Sequence, residues 1–312
     1  MNQINKFNMK GYHLNLKTVL VLSILCFFIF SCSTDETQTV AKFKVLVMAD
    51  EFDAEGAPNT EIWGYDTGTG VNGWGNNELQ YYTKRTENVK VENGVLLLTA
   101  LKEDFNGASY TSARLSTKDL FEQAYGRFEA RIKVTGGSGL WPAFWLLGAD
   151  CETEVDDNPE TLKWPICGEI DIMEYRRQEP TKVSGSVHGP GYSGETNPQG
   201  QITKSYDLGN DRLDAGFHIY GIEWGPEYIN YYIDDVLYNQ ITPSDIEVTP
   251  SDVIYELEDG TDVTGNWVFN KPFYIIINLA VGGAFPGAPD SDETFPQSML
   301  VDYVRVYKSS NN

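Results

Sequence analysis

The 312-residue sequence is poor in histidine, with 3, and poor in basic side chains, with 23 Lys and Arg against 45 Asp and Glu. A formal charge of −22 excludes a phosphate-backbone binder, whose affinity comes from Lys/Arg neutralisation of phosphates. It also sets up long-range repulsion of sulfated or carboxylated polymers. There are only 4 Cys, and no Cys/His grouping has the spacing of a zinc site. No window carries a long amphipathic helical pattern. The most apolar stretch, Thr18 to Phe30, has 13 residues, short of the ~20 that a membrane-spanning helix needs.

That stretch follows Lys6, Lys10 and Lys17 and leads into "SCSTDE". A positive flank, a short apolar run and a small residue before Cys form a secretory signal. Residues 1–31 resemble a bacterial lipoprotein signal peptide, with Ile29, Phe30 and Ser31 preceding Cys32. The resemblance implies a lipid on Cys32, a short tether over 32–43 and an outer-membrane lipoprotein of the cell envelope. The "STDE" that follows resembles the surface-export tag of Bacteroidetes lipoproteins, which implies the outer face. Cleavage without lipid is the alternative. Losing residues 1–31, with three Lys and no acid, takes the charge from −22 to −25. Cys151 and Cys167 then remain in an oxidising compartment, bracketing "ETEVDDNPETLKWPI", which takes in most of the acidic loop 150–164. A disulfide and two buried thiols are both open there.

What the chain has in quantity is Gly (29), Tyr (18) and Phe (15), which suits many short strands and turns. Strand-like runs recur from "KVLVMADEF" to "MLVDYVRVYK" without a linker or repeat, so residues 44–309 read as one all-β domain. "EYINYYIDDVLYNQI" reads as a hairpin with Asp234-Asp235 at its tip. Many short strands separated by turns mean a sandwich or a barrel. "GLWPAFWLLG" alternates, with Leu140, Phe144 and Leu146 on one face and Trp141, Ala143 and Trp145 on the other. Two indoles flanking an alanine can be core, or two plates for the apolar faces of sugar rings.

"WPICGEIDIMEY" carries Glu169, Asp171 and Glu174 among apolar residues. Three carboxylates on one short strand are costly if buried without a task. A solvated face or a calcium site is the ordinary explanation, although calcium wants further oxygen ligands. In strand phase Glu169 and Asp171 share a face and Glu174 does not. One extra residue in a β-bulge near Ile172-Met173 returns Glu174 to that face. Two carboxyls ~5–5.5 Å apart suit a retaining glycosidase, and ~6.5–9.5 Å an inverting one; near neighbours on one strand favour the shorter gap. A third carboxylate between them disfavours both being ionised.

"GEIDIMEY" resembles the bulged E-x-D-x-x-E signature of glycoside hydrolase family 16. "GWGNNELQYYT", "YTSARLST", "YGRFEARIK", "GLWPAFWLLG" and "VHGPGYSG" resemble its laminarinase branch, the endo-1,3-β-glucanases. The resemblance implies a β-jelly roll of two curved antiparallel sheets with a concave substrate cleft. It implies Glu169 as nucleophile, Glu174 as general acid/base and Asp171 as the assisting acid. Trp141 and Trp145 become sugar platforms. Asn77, Arg114 and His188 become substrate-binding groups, with a structural hydrogen bond the alternative for His188 and a salt bridge for Arg114. Glu78 holds Arg114 or Asn77. No cofactor serves catalysis. A structural Ca2+ is implied at Glu51 and Gly94, through backbone oxygens, and Asp302. The implied protein is a monomer acting on β-glucan, with no nucleic-acid partner. Rival readings are a mixed-linkage β-1,3-1,4-glucanase, a galactanase, a transglycosylase and a glucan-binding lectin, the last opposed by the intact carboxylate set.

Overall fold

The computed structural model describes residues 43–151, 164–192, 202–246, 255–256, 262–263 and 267–310. The signal segment 1–31, Cys32 and its tether up to residue 42, most of the 150–164 loop and the end of "VHGPGYSG" lie outside the described residues; Phe43, counted with the tether from the sequence, opens the first strand.

The chain begins with β1 (Phe43–Asp50), β2 (Gly64–Asp66), β3 (Gln80–Tyr82), β4 (Val89–Glu92), β5 (Val95–Phe105), β6 (Ala108–Ser112) and β7 (Arg114–Ser116). It continues through β8 (Glu122–Gln123), β9 (Gly126–Lys133), β10 (Leu140–Gly148), β11 (Glu169–Glu174), β12 (Lys182–His188) and β13 (Ile202–Asp207). The last part holds β14 (His218–Gly225), β15 (Tyr228–Ile233), β16 (Val236–Ile241), β17 (Tyr255–Glu256), β18 (Asp262–Val263), β19 (Phe273–Val281) and β20 (Gln297–Ser309).

One sheet of ten strands runs β16-β15-β14-β9-β20-β5-β6-β3, with β1 on β20 and β4 on β5. A second, of eight strands, runs β13-β12-β11-β10-β19-β7-β2, with β8 on β19. These are the two sheets of a jelly roll. One pairing departs from the antiparallel expectation: β3 and β6 run parallel. The β4–β5 excursion between them returns the chain in the same direction, which a tight hairpin could not do.

Alternation builds the core between the sheets. Phe128, Ala130 and Ile132 of β9 and Val301, Val304 and Val306 of β20 meet Leu140, Phe144 and Leu146 of β10 and Ile275, Ile277 and Leu279 of β19. Each such buried side chain contributes roughly 1.5–3 kcal/mol. β19 is buried along its whole length, because its other face is covered too. There Tyr274 and Ile276 pack with Leu147, Cys151, Cys167 and Trp145 in a second apolar cluster. Cys151 and Cys167 are joined by a disulfide, which resolves the alternative left by the sequence.

The expected hairpin is β15–β16, closing at Ile233↔Val236. Asp234 (φ 48°) and Asp235 (φ 62°) supply the two positive φ values that a type I′ turn demands. Among the described residues no helix is long and apolar enough to cross a membrane.

Candidate active site

β11 lies between β10 and β12 in the eight-stranded sheet. Against β10, Glu169, Ile170 and Asp171 pair with Leu147, Leu146 and Trp145, while Met173 and Glu174 pair with Phe144 and Ala143. Ile172 is the extra residue, and the register against β12 shifts over the same interval. Ile172 and Met173 both enter the core. The bulge sits where the phase of the carboxylates requires it, and it delivers Glu169, Asp171 and Glu174 to the face away from the core. Trp141, Ala143 and Trp145 of β10 share that face. The small Ala143 side chain opposite Glu174 leaves the gap between the two indoles clear.

Hydrogen bonds separate the roles available to the three acids. Trp164 Nε1 donates to Glu169 Oε2 at 3.1 Å. Trp141 Nε1 donates to Glu174 Oε1 at 3.1 Å, and Ser186 Oγ lies 3.4 Å from Glu174 Oε2. His188, paired with Glu169 in the β11–β12 register, places Nε2 3.0 Å from Asp171 Oδ2 and 3.6 Å from Glu169 Oε1. Burial pushes Glu169 up to about 8, helped by the charge of Asp171 and opposed by His188. Glu174 is pushed up to about 8 by burial and then by Asp171. Asp171 reaches about 8 through burial, opposed by a hydrogen bond with Glu169. Near neutral pH the trio therefore holds protons between its members instead of carrying three full charges.

The neighbouring strands extend the site in cross-strand rows. Glu174 is followed by Ala143, Asn278, Arg114 and Asp66 across β10, β19, β7 and β2. Asn278 Oδ1 accepts from Trp145 Nε1 at 2.7 Å and fixes the plane of that indole. Arg114 is 7% exposed. Its Nε donates to Asp66 Oδ2 at 2.9 Å, and its guanidinium lies 4.5 Å from the Trp74 ring and 4.9 Å from the Trp145 ring. Arg114 thus spaces two indoles and carries the salt bridge weighed for it from the sequence. Trp141 packs on Phe285 at 5.2 Å.

Asn77 is exposed in the turn Gly73–Asn77, which is tied to the β19–β20 connection by Ala284 N to Asn76 O. Glu78 makes no hydrogen bond to Arg114 or Asn77, although its charge and that of Arg114 act on each other. It accepts instead from Gln80 Nε2 at 2.6 Å and Tyr82 OH at 3.2 Å, because β3 turns those side chains toward it. Glu51, Gly94 and Asp302 are associated with the ten-stranded sheet, where the β1–β20 and β5–β20 registers converge near Asp302. The Asp302 carboxylate is bonded to Arg131 at 2.6 Å and that of Glu51 to Arg305. A cation at Asp302 must share that carboxylate with a guanidinium.

Trp164, Trp74, Asp66 and Asn278 were not singled out from the sequence. Two left a trace there, Trp164 as a bulky aromatic five residues before Glu169 and Trp74 inside "GWGNNELQYYT". The others reach the site through pairings distant in sequence.

The profile described as "Glycosyl hydrolases family 16" matches residues 76–267. The chain belongs to glycosyl hydrolase family 16. A "Beta-glucanase" of Rhodothermus marinus is 41% identical over 296 residues, covering 94% of each chain. A "Glucan endo-1,3-beta-glucosidase" of Cryptopygus antarcticus is 34% identical, covering 84% of this chain and 92% of that one. The solved endo-β-1,3-glucanase of Pyrococcus furiosus superposes with TM-score 0.71 at 42% identity, over 86% of this chain and 95% of that one. The jelly roll of family 16 therefore accounts for both sheets, and the bulged E-x-D-x-x-E strand falls inside the matched span.

Proposed function

We propose that this family 16 enzyme is a retaining endo-1,3-β-glucanase acting on laminarin-like β-glucans. The carrying observation is that the β11 bulge places Glu169, Asp171 and Glu174 on one face beside Trp141 and Trp145. With the shared proton on Asp171, Glu169 is ionised and attacks the anomeric carbon. Glu174, protonated and half-buried, donates its proton to the departing glycosidic oxygen. The glycosyl ester on Glu169 is then hydrolysed by water that Glu174, now a carboxylate, deprotonates. The raised pKa of Glu174 keeps a proton available near neutral pH, which the first step needs. Trp141 serves as a platform and, through its N–H, orients Glu174. Trp145, held by Asn278 and backed by Arg114, is the stiffer plate. Asn77 and His188 face the sugar hydroxyls in this reading, and His188 Nε2 lies 3.0 Å from Asp171 Oδ2.

The test is reducing-sugar release from laminarin, barley mixed-linkage glucan and agarose side by side, with Glu174→Gln as control. Release from laminarin that vanishes in the control supports the assignment. Release from barley glucan alone replaces it with the mixed-linkage reading, and binding without release from any polymer replaces it with the lectin.

The same proposal includes lipidation at Cys32 and a monomer tethered at the outer membrane, supported by the signal-like residues 1–31. Cys32→Ala should release the protein from membranes; unchanged fractionation removes the anchor. It also includes a structural Ca2+ at the Glu51 and Gly94 carbonyls and Asp302, outside the chemistry. Its binding requires Arg131 to yield Asp302, and a melting temperature indifferent to Ca2+ removes it.

A further inference from the structure

His188 Nε2 stands 3.0 Å from Asp171 Oδ2 and 3.6 Å from Glu169 Oε1. One nitrogen or oxygen from each of these residues falls within 4.8 Å of the others. A tetrahedral ion with bonds of about 2.0–2.1 Å to nitrogen and oxygen has ligand–ligand edges of about 3.3 Å. The two measured edges bracket that figure.

A second observation separates this group from an ordinary ion pair. The Asp171 side chain is 7% exposed, and its Oδ2, aimed at His188, receives no hydrogen bond. Among the described residues no Lys or Arg forms an ion pair with Glu169, Asp171 or Glu174. Glu169 Oε2 is already held by Trp164, which leaves Oε1 to turn toward His188. The His188 and Glu169 side chains, 12% and 16% exposed, keep the group reachable from the cleft.

We propose that Glu169, Asp171 and His188 form a three-ligand site for a zinc-class transition-metal dication, which competes with the glucan and silences the enzyme. One imidazole and two carboxylates suit zinc, copper or nickel. Calcium takes six to eight oxygens and magnesium a near-ideal octahedron, so neither fits three converging side chains as well. The fourth position opens to the cleft. The ion engages Glu169 Oε1, the lone pair that attack on the anomeric carbon requires. It occupies the place where the transition state develops positive charge, so the field that favours that charge favours the ion too. The inhibitory consequence rests on the reading of Glu169 as nucleophile; binding rests on the three ligands alone.

The test is calorimetric titration of zinc chloride into the whole chain carrying Cys26→Ser and Cys32→Ser, with and without a laminarin oligosaccharide. Cys151 and Cys167 are bonded to each other and offer no thiolate. The expected result is one site displaced by the oligosaccharide, with zinc raising the apparent KM, leaving kcat unchanged and released by EDTA. His188→Gln should weaken zinc at least about tenfold, and Asp171→Asn should do the same if the first variant does not fold. His218→Ala, which removes the His218–Asp234 pair on the other sheet, should leave the affinity unchanged. Unchanged affinity in both cleft variants, or zinc that the oligosaccharide does not displace, overturns the proposal. Absence of hydrolysis with zinc binding intact overturns the glucanase reading instead, because the heat of binding does not depend on turnover.

Discussion

On the ten-stranded sheet, Arg127 donates to Glu129 at 2.7 Å and to Asp235 at 2.8 Å, with Glu223 3.8 Å away. On the eight-stranded sheet, Glu169, Asp171 and Glu174 have His188 and two indole N–H groups instead. Both clusters face away from the shared core, and each has a buried member at its centre, Arg127 in one and Asp171 in the other. A guanidinium favours the ionised acid: Arg305, bonded to Glu51, holds that carboxyl below its usual range. Without one, burial pushes the cleft acids up to about 8. One sheet sets its acids against a guanidinium. The other leaves them able to exchange protons, which acid–base chemistry requires and stability does not.

Exchanging one member of each cluster separates these purposes. Glu169→Ser should abolish laminarin hydrolysis while retaining binding, and Glu174→Gln should slow it by about 10²–10⁴-fold. Deleting Met173 should be as damaging, since it removes the bulge and turns Glu174 from the cleft; initial rates check all three. Arg127→Ala should do the reverse. It strands buried carboxylates, costs about 3–5 kcal/mol in denaturant unfolding, and leaves turnover per folded molecule unchanged.

The pH dependence sharpens the contrast. The cleft acids have folded pKa values above their unfolded ones, so between roughly pH 4 and 8 the native state binds more protons than the unfolded chain. Stability from this source is present at low pH and falls as pH rises through that window. Glu174→Gln should therefore raise the melting temperature more at pH 8 than at pH 5. A smaller effect belongs to Trp164→Phe. Losing its N–H should lift the acidic limb of the kcat/KM profile by about half a pH unit, or ~0.7 kcal/mol, because ionised Glu169 loses a donor. The smallest is Arg305→Ala, whose exposed pair with Glu51 should contribute less than about 1 kcal/mol.

The parts of this site readable from sequence were those encoded in short-range phase. The misfit of Glu174 against Glu169 and Asp171 demanded a bulge, and Ile172 supplies it. The alternation of "GLWPAFWLLG" placed both indoles opposite the core residues of β10. Contacts set by distant pairing were not readable. Arg114 reaches Trp145 because β7 lies beside β19, a neighbour more than 150 residues away in sequence. Trp164 reaches Glu169 through the turn into β11, where no periodicity guides placement. The disulfide stood between, since loop length permitted it without requiring it.

The division of labour between Glu169 and Glu174 is tested most directly by azide rescue on an aryl β-laminaribioside with a good leaving group. In Glu174→Ala, azide intercepts the glycosyl ester on Glu169, and two inversions give the β-glycosyl azide. In Glu169→Ala, azide displaces the leaving group in one step and gives the α-glycosyl azide. This pair of anomers is the predicted result. The opposite pair, or the same anomer from both variants, contradicts the assignment of nucleophile and acid/base.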